Sequence, residues 1–165
     1  MPWLEDFAVG DRAAFGSYEV THDEVVAFAG AYDPQPFHLD DAAAARTHFK
    51  RIAASGWHTC AMTMAMVVRR QQEVDAGEVG DSGGLGAVGI DTLRWLRPVY
   101  PGDVLRCETE VLAVTPSRSQ PHMGSVTSRM TVLNQDDQPV MTHEPIALYR
   151  RRSAEDQVVV GTPTS

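Results

Sequence analysis

The second half of the chain alternates apolar and polar side chains with a period of two. Leu105, Cys107, Thr109, Val111 and Ala113 place a mostly apolar row on one side of an extended segment, and Arg106, Glu108 and Glu110 occupy the other. Val126, Met130 and Val132 alternate in the same way with Thr127, Arg129 and Thr131. Gly86 to Arg97 and Val140 to Tyr149 read as two further strands, and Pro145 argues that the latter is an edge strand or carries a bulge. Pro101-Gly102-Asp103 marks a turn, and Asn134-Gln135-Asp136-Asp137 suits a hairpin loop.

The first half reads differently. Ala13 to Val20 predicts a short strand, and Thr21 with Glu24 three residues later forms a capping-box signal. Val25, Val26, Phe28 and Ala29 continue that helix, with Gly30 as its expected stop. Pro34 and Pro36 exclude regular helix from the next segment and stiffen it. Asp40 to Phe49 suits a short alanine-rich helix or turn. Ser55-Gly56 then opens a helix from Trp57 to Val68, ended by Arg69-Arg70, that is apolar nearly all the way round and should be buried on most faces. Glu73 to Gly86, acidic and glycine-rich, reads as a mobile loop. The order of elements predicts an α+β fold in which one curved antiparallel sheet wraps a long central helix. We expect one domain over residues 1–152 and a polar tail, disordered at its end, over 153–165; no internal repeat is visible.

Bulk properties narrow the function. At 165 residues, 43% hydrophobic and 22% charged, the chain suits one soluble domain with a sizeable core. A net charge of -8 disfavours nucleic acid and anionic membranes, and an anionic ligand would need a local basic patch. Cys60 and Cys107 both lie in apolar patterns, which fits a reducing compartment. Met-Pro-Trp-Leu-Glu-Asp lacks the basic and apolar regions of a secretory signal, and no apolar run has membrane-spanning length. A cytoplasmic protein is the expectation.

One segment can carry chemistry. Asp33 and His38 flank a proline-punctuated stretch, Tyr32-Asp33-Pro34-Gln35-Pro36-Phe37-His38. A carboxylate and an imidazole held together can share a water, one taking its proton while the other orients it. An aspartate beside a proline is more often a turn former or a helix cap. Gly56, at the start of the apolar helix, offers a backbone N–H where the helix dipole favours negative charge, and an oxyanion could sit there. The alternative is a glycine that only shapes a tight entry into the helix.

The Tyr32–His38 segment, followed by Ser55-Gly56 and the methionine-rich helix, resembles the MaoC-like, R-specific enoyl-CoA hydratase family of the hot-dog superfamily. Arg97-Pro98-Val99-Tyr100-Pro101-Gly102-Asp103 is similar to that family's text too, and the likeness spans roughly Gly10 to Arg150. The resemblance implies a hot-dog fold and a hydro-lyase in which Asp33 and His38 activate one water against a trans-2-enoyl thioester. It also implies that the Gly56 N–H holds the thioester oxygen. The substrate carrier would be coenzyme A or acyl carrier protein, and the assembly a homodimer that joins two sheets edge to edge. No cofactor or metal is implied. The sequence departs from the family pattern at Gln35, where an Asn is usual, and at Ser55, where many members carry His. Met64 aligns with a helix serine found in some members; Thr59 or Thr63 offers a replacement hydroxyl, unless each bonds back to its own helix.

Other candidates have plainer readings. Gln35, Ser55, His58 and Thr59 are candidate pocket-lining residues. His38, His48 and His58 are evenly spaced, but the gaps match no zinc site. Met62, Met64 and Met66 suit core packing or an acyl tunnel, and Arg150-Arg151-Arg152 either meets coenzyme A phosphates or is simply solvated. Two other functions compete with the lyase: a hot-dog thioesterase, and a non-catalytic acyl-binding subunit.

Overall fold

The computed structural model describes residues 2–75 and 83–152; the expected tail and the centre of the expected loop lie outside the described residues. Five strands, β1 (Arg12–Glu19), β2 (Gly84–Trp95), β3 (Val104–Pro116), β4 (Met123–Leu133) and β5 (Pro139–Arg150), form one antiparallel sheet in the order β1-β3-β4-β5-β2. Helices α1 (His22–Tyr32), α2 (Pro36–Leu39), α3 (Asp41–Ala45) and α4 (Gly56–Asp75) lie between β1 and β2 in sequence. This is the hot-dog arrangement expected: a curved sheet against one long helix, α+β in class.

The alternating rows of β3 and β4 turn the same side chains inward that their pattern marks. Leu105, Cys107, Met130 and Val132 join Met62 and Met66 of α4, Val20, Val25 and Met141 in the main core. Fully burying side chains of this size stabilises by about 1.5–3 kcal/mol each. Strand β1 approaches α4 closely at Gly16, where φ is +82° and a Cβ would stand 2.7 Å from Met66 Sδ. The strand pairing slips there, between Phe15 and Tyr18. A smaller cluster of Leu4, Val111 and Val126 closes the far end beneath a 3-10 turn at Leu4–Asp6, which the periodicity did not reveal.

Several boundaries differ from expectation for identifiable reasons. Thr21 caps α1 as expected, accepting from the Glu24 N–H, while the Glu24 carboxylate accepts from the hydroxyls of Thr21 and Tyr18. Gly30 does not stop α1, which runs to Tyr32; Pro34 follows Asp33, which leaves the helical region with φ -149° and ψ 66°. Pro36 does not exclude helix either. It opens the one-turn α2, since the first helical position needs no N–H partner. Helix α4 continues past Arg69-Arg70 to Asp75, and β2 begins at Gly84, so both ends of the expected loop belong to regular structure. Pro145 lies in β5, which is not an edge; β2 slips in register between Ile90 and Leu93, opposite Pro145, and this bulge accommodates the missing N–H.

The largest departure concerns α4. Met62, Met66, Thr59 and Thr63 are buried, but Trp57 is 59% exposed and Met64 55%, with Ala61 and Val68 also exposed. The spacing 57, 61, 64, 68 is one helix face. A five-stranded sheet curls far enough to cover one side of α4 and leaves a second apolar stripe outside. The edge strand β2 exposes Leu85, Val88, Ile90 and Trp95, and the Trp95 ring meets that of Trp57 at 5.3 Å.

Candidate active site

The end of α1, the single turn of α2 and the entry to α4 bring four polar side chains together. Asp33 follows the last turn of α1, and Pro36 starts the turn that carries His38 two positions later. His38 Nδ1 lies 2.7 Å from the Ala53 carbonyl oxygen. A carbonyl only accepts, so Nδ1 carries a proton, and in the neutral ring Nε2 presents its lone pair. That Nε2 stands 3.5 Å from Asp33 Oδ2. The imidazole is 5% exposed and is walled by the rings of Phe37 (4.6 Å) and Phe49 (5.9 Å).

Both carboxylate oxygens of Asp33 are already held. Ser55 Oγ donates to Oδ2 at 2.7 Å, and Gln35 Nε2 donates to Oδ1 at 2.8 Å. The Ser55 bond, and then the Gln35 bond, keep the Asp33 carboxyl below the usual carboxylate range, and His38 adds to the effect against a smaller opposing one from burial. Asp33 is therefore an anion at neutral pH. Ser55 also caps α4: its Oγ accepts from the Trp57 N–H and its carbonyl from the Thr59 N–H. Gln35 and Ser55, read in the sequence as departures from the pattern it resembles, are thus the two side chains that pin Asp33.

Gly56 is the first residue of α4, directly after Ser55. Its lack of a side chain has a specific cause. A Cβ there would stand 2.5 Å from Cε2 of Trp95, whose indole N–H donates to the Gly56 carbonyl at 2.9 Å. The glycine makes room for an indole from β2, a contact 39 residues away that no local pattern announces.

The remaining candidates fall outside this cluster. Thr59 and Thr63 both bond back along α4, to the Ser55 and Thr59 carbonyls, so neither hydroxyl is turned to the pair. His58 is buried and stacks on Phe28 at 4.5 Å; burial lowers its pKa, and its Nδ1 has no hydrogen-bond partner among the described residues. Among the described residues, no group of three His, Cys, Asp or Glu side chains could hold a metal ion. Arg151 and Arg152 pair with Glu5 and Asp6 of the 3-10 turn, which removes them as evident phosphate ligands. A cavity of about 360 Å³ lies elsewhere, on the sheet, lined by Arg12, Glu108, Glu110 and Arg129 among others. No helix of the described residues is long and apolar enough to cross a membrane.

The family model of the MaoC-like domain matches residues 7–134. The chain belongs to the MaoC-like dehydratase family. Its fold is similar to the MaoC-like dehydratase of Rhodospirillum rubrum, with a TM-score of 0.79 and 41% identity over 93% of this chain and 99% of that one. It is 30% identical to the uncharacterized protein YdeM of Bacillus subtilis, over 90% of this chain and 99% of the relative. It is also 30% identical to the 3-hydroxybutyryl-CoA dehydratase of Methylorubrum extorquens, over 76% and 74% of the two chains. For a MaoC-like protein, the placement of Asp33 and His38 turns a sequence motif into a geometric pair.

Proposed function

We propose that this protein is a hydro-lyase that reversibly adds water to the double bond of a trans-2-enoyl thioester, as an enoyl-CoA hydratase or, in reverse, a 3-hydroxyacyl-CoA dehydratase. The observation that carries the proposal is the 3.5 Å approach of Asp33 Oδ2 and His38 Nε2, with the far nitrogen of the ring already anchored. Support comes from family membership and from the relative named for dehydrating 3-hydroxybutyryl-CoA.

A carboxylate whose oxygens both accept hydrogen bonds is a weakened base. The Nε2 lone pair therefore takes a proton from a water that Asp33 orients, as the water oxygen bonds to C3 of the enoyl group. The electrons of the C2–C3 double bond move towards the thioester carbonyl, and the Gly56 N–H is the donor we assign to its developing oxyanion. Return of the proton from His38 to C2 completes the addition. One water is consumed and nothing is oxidised. Gln35 and Ser55 hold Asp33 in this scheme, while His58 and Thr59 shape the wall behind it. The thioester is carried by coenzyme A or acyl carrier protein.

We assign the functional unit as a homodimer. The edge strand β2 and the adjoining apolar stripe of α4 are the surfaces a second copy would cover. A monomer by light scattering contradicts that assignment.

The test follows conjugated enoyl absorbance and free thiol together on a purified enoyl-CoA. The lyase consumes the enoyl group without releasing thiol, and Asp33→Ala and His38→Ala each lower the rate by about 10²–10⁴-fold while remaining folded. Wild-type turnover in either variant overturns the mechanism. Thiol release in step with enoyl loss makes the protein a thioesterase instead.

A further inference from the structure

The chain has one lysine, Lys50, and it lies within a run that also holds Arg46, His48 and Arg51. Four side chains able to carry positive charge thus fall in six consecutive positions of a protein whose net charge is -8. All four are exposed. Elsewhere Arg12, Arg106, Arg129, Arg151 and Arg152 each pair with a carboxylate. Arg46, Lys50 and Arg51 pair with none among the described residues, and the carboxylates that precede the run, Asp40 and Asp41, accept instead from the Ala43 and Ile52 N–H groups.

The run is also fixed to the Asp33–His38 site. Phe49 packs on Phe37 at 5.2 Å and on the His38 ring at 5.9 Å. Tyr100 donates its hydroxyl to the Phe49 carbonyl at 2.9 Å, and the Arg51 guanidinium lies 4.1 Å from the centre of the Tyr100 ring. Ala53, whose carbonyl anchors His38, follows Arg51 by two residues, at most about 7 Å of chain. Lys50 holds φ at +65°, in the left-handed region that a lysine adopts only at a cost. An unneutralised cationic run, braced by aromatic rings against the site, is the local basic patch that an acidic protein needs to hold an anionic ligand.

We propose that Arg46, Lys50 and Arg51 form the subsite for the phosphate groups of coenzyme A. The inference rests on the thioester reading given above and fixes its carrier. Coenzyme A keeps its phosphates a pantetheine arm away from its sulfur, so cations beside the site, rather than in it, suit that molecule. A small patch on an otherwise acidic surface favours a compact polyanion over an acidic carrier protein, whose wider surface would meet repulsion.

The experiment measures binding of unacylated coenzyme A to the full chain by calorimetry, so no turnover is needed. Lys50→Glu with Arg51→Glu weakens coenzyme A at least about tenfold, and added salt weakens the wild type. The same variant leaves pantetheine binding unchanged, and Arg118→Glu in the β3–β4 turn leaves coenzyme A binding unchanged. In parallel, coenzyme A slows acylation of Lys50 by an amine-reactive reagent, read by mass spectrometry. Equal coenzyme A affinity in wild type and double variant overturns the assignment, as does binding of holo acyl carrier protein but not of coenzyme A. Intact, patch-dependent coenzyme A binding with no hydration of any enoyl-CoA would instead overturn the lyase reading and leave this subsite standing.

Discussion

Ser55→Ala separates what the active-site cluster does from what merely holds the fold. The substitution removes one hydroxyl that makes two bonds: a donated one of 2.7 Å to Asp33 Oδ2 and an accepted one of 3.2 Å from the Trp57 N–H. Losing the second unties the cap of α4, at about 0.5–2 kcal/mol of stability. Losing the first affects the reaction. A hydrogen bond to a charged group contributes about 1.5–3 kcal/mol, which corresponds to roughly 10- to 150-fold in rate if Asp33 must be held in place at the transition state. The titration of Asp33 itself discriminates between the two losses. Ser55 is the foremost cause of the lowered Asp33 pKa. Removing the hydroxyl raises that pKa towards the ordinary carboxylate value, which the carboxyl carbon shift in an NMR titration reads directly. A lost cap alone lowers the melting temperature but leaves the Asp33 titration where it was. The titration, thermal melts and kcat/KM at neutral pH are measured on both chains. Reduced stability with an unmoved Asp33 titration and undiminished kcat/KM refutes the reasoning.

Further outcomes follow from the same geometry. Gly56→Ala drives a methyl into the Trp95 indole and costs about 1–3 kcal/mol in a denaturant melt, and Trp95→Ala in the same chain restores most of it. Thr63→Val leaves turnover within about twofold, because its hydroxyl serves the Thr59 carbonyl and adds no more than about 1 kcal/mol there; a large loss would place the hydroxyl in the chemistry. Met62→Ala, in the middle of the core, lowers unfolding free energy by about 2–5 kcal/mol. The depressed Asp33 pKa contributes stability that is present above the ordinary carboxylate pKa and is lost as pH falls through the folded value. Asp33→Asn therefore flattens the acid end of the stability curve.

The sheet was legible because its strands are half-buried: one face of β3 and β4 meets α4 and the other meets solvent, and a period of two records that difference. The site was legible in part, since Asp33 and His38 are close in sequence and the prolines between them mark a fixed backbone. Their supports were not. The Ala53 carbonyl that sets the His38 tautomer is 15 residues away and belongs to a backbone that any residue type could supply. The indole over Gly56 arrives from another strand. Ser55 and Gln35 were visible only as departures from a family pattern, and pattern alone could not say that they hold the carboxylate. The apolar run of α4 misled for a related reason. Composition records that a face is apolar, but not whether the cover comes from the same chain, and Trp57, Met64 and Val68 remain outside.

The aspartate–histidine pair is claimed to put a whole water onto an intact thioester, and the mass of the product reports this most directly. A trans-2-enoyl-CoA incubated with the purified protein should gain the mass of one water and keep its thioester, whereas the chain carrying both Asp33→Asn and His38→Asn should return it unchanged. Free coenzyme A with a carboxylic acid as products, or the same water adduct from the double variant, would contradict the account.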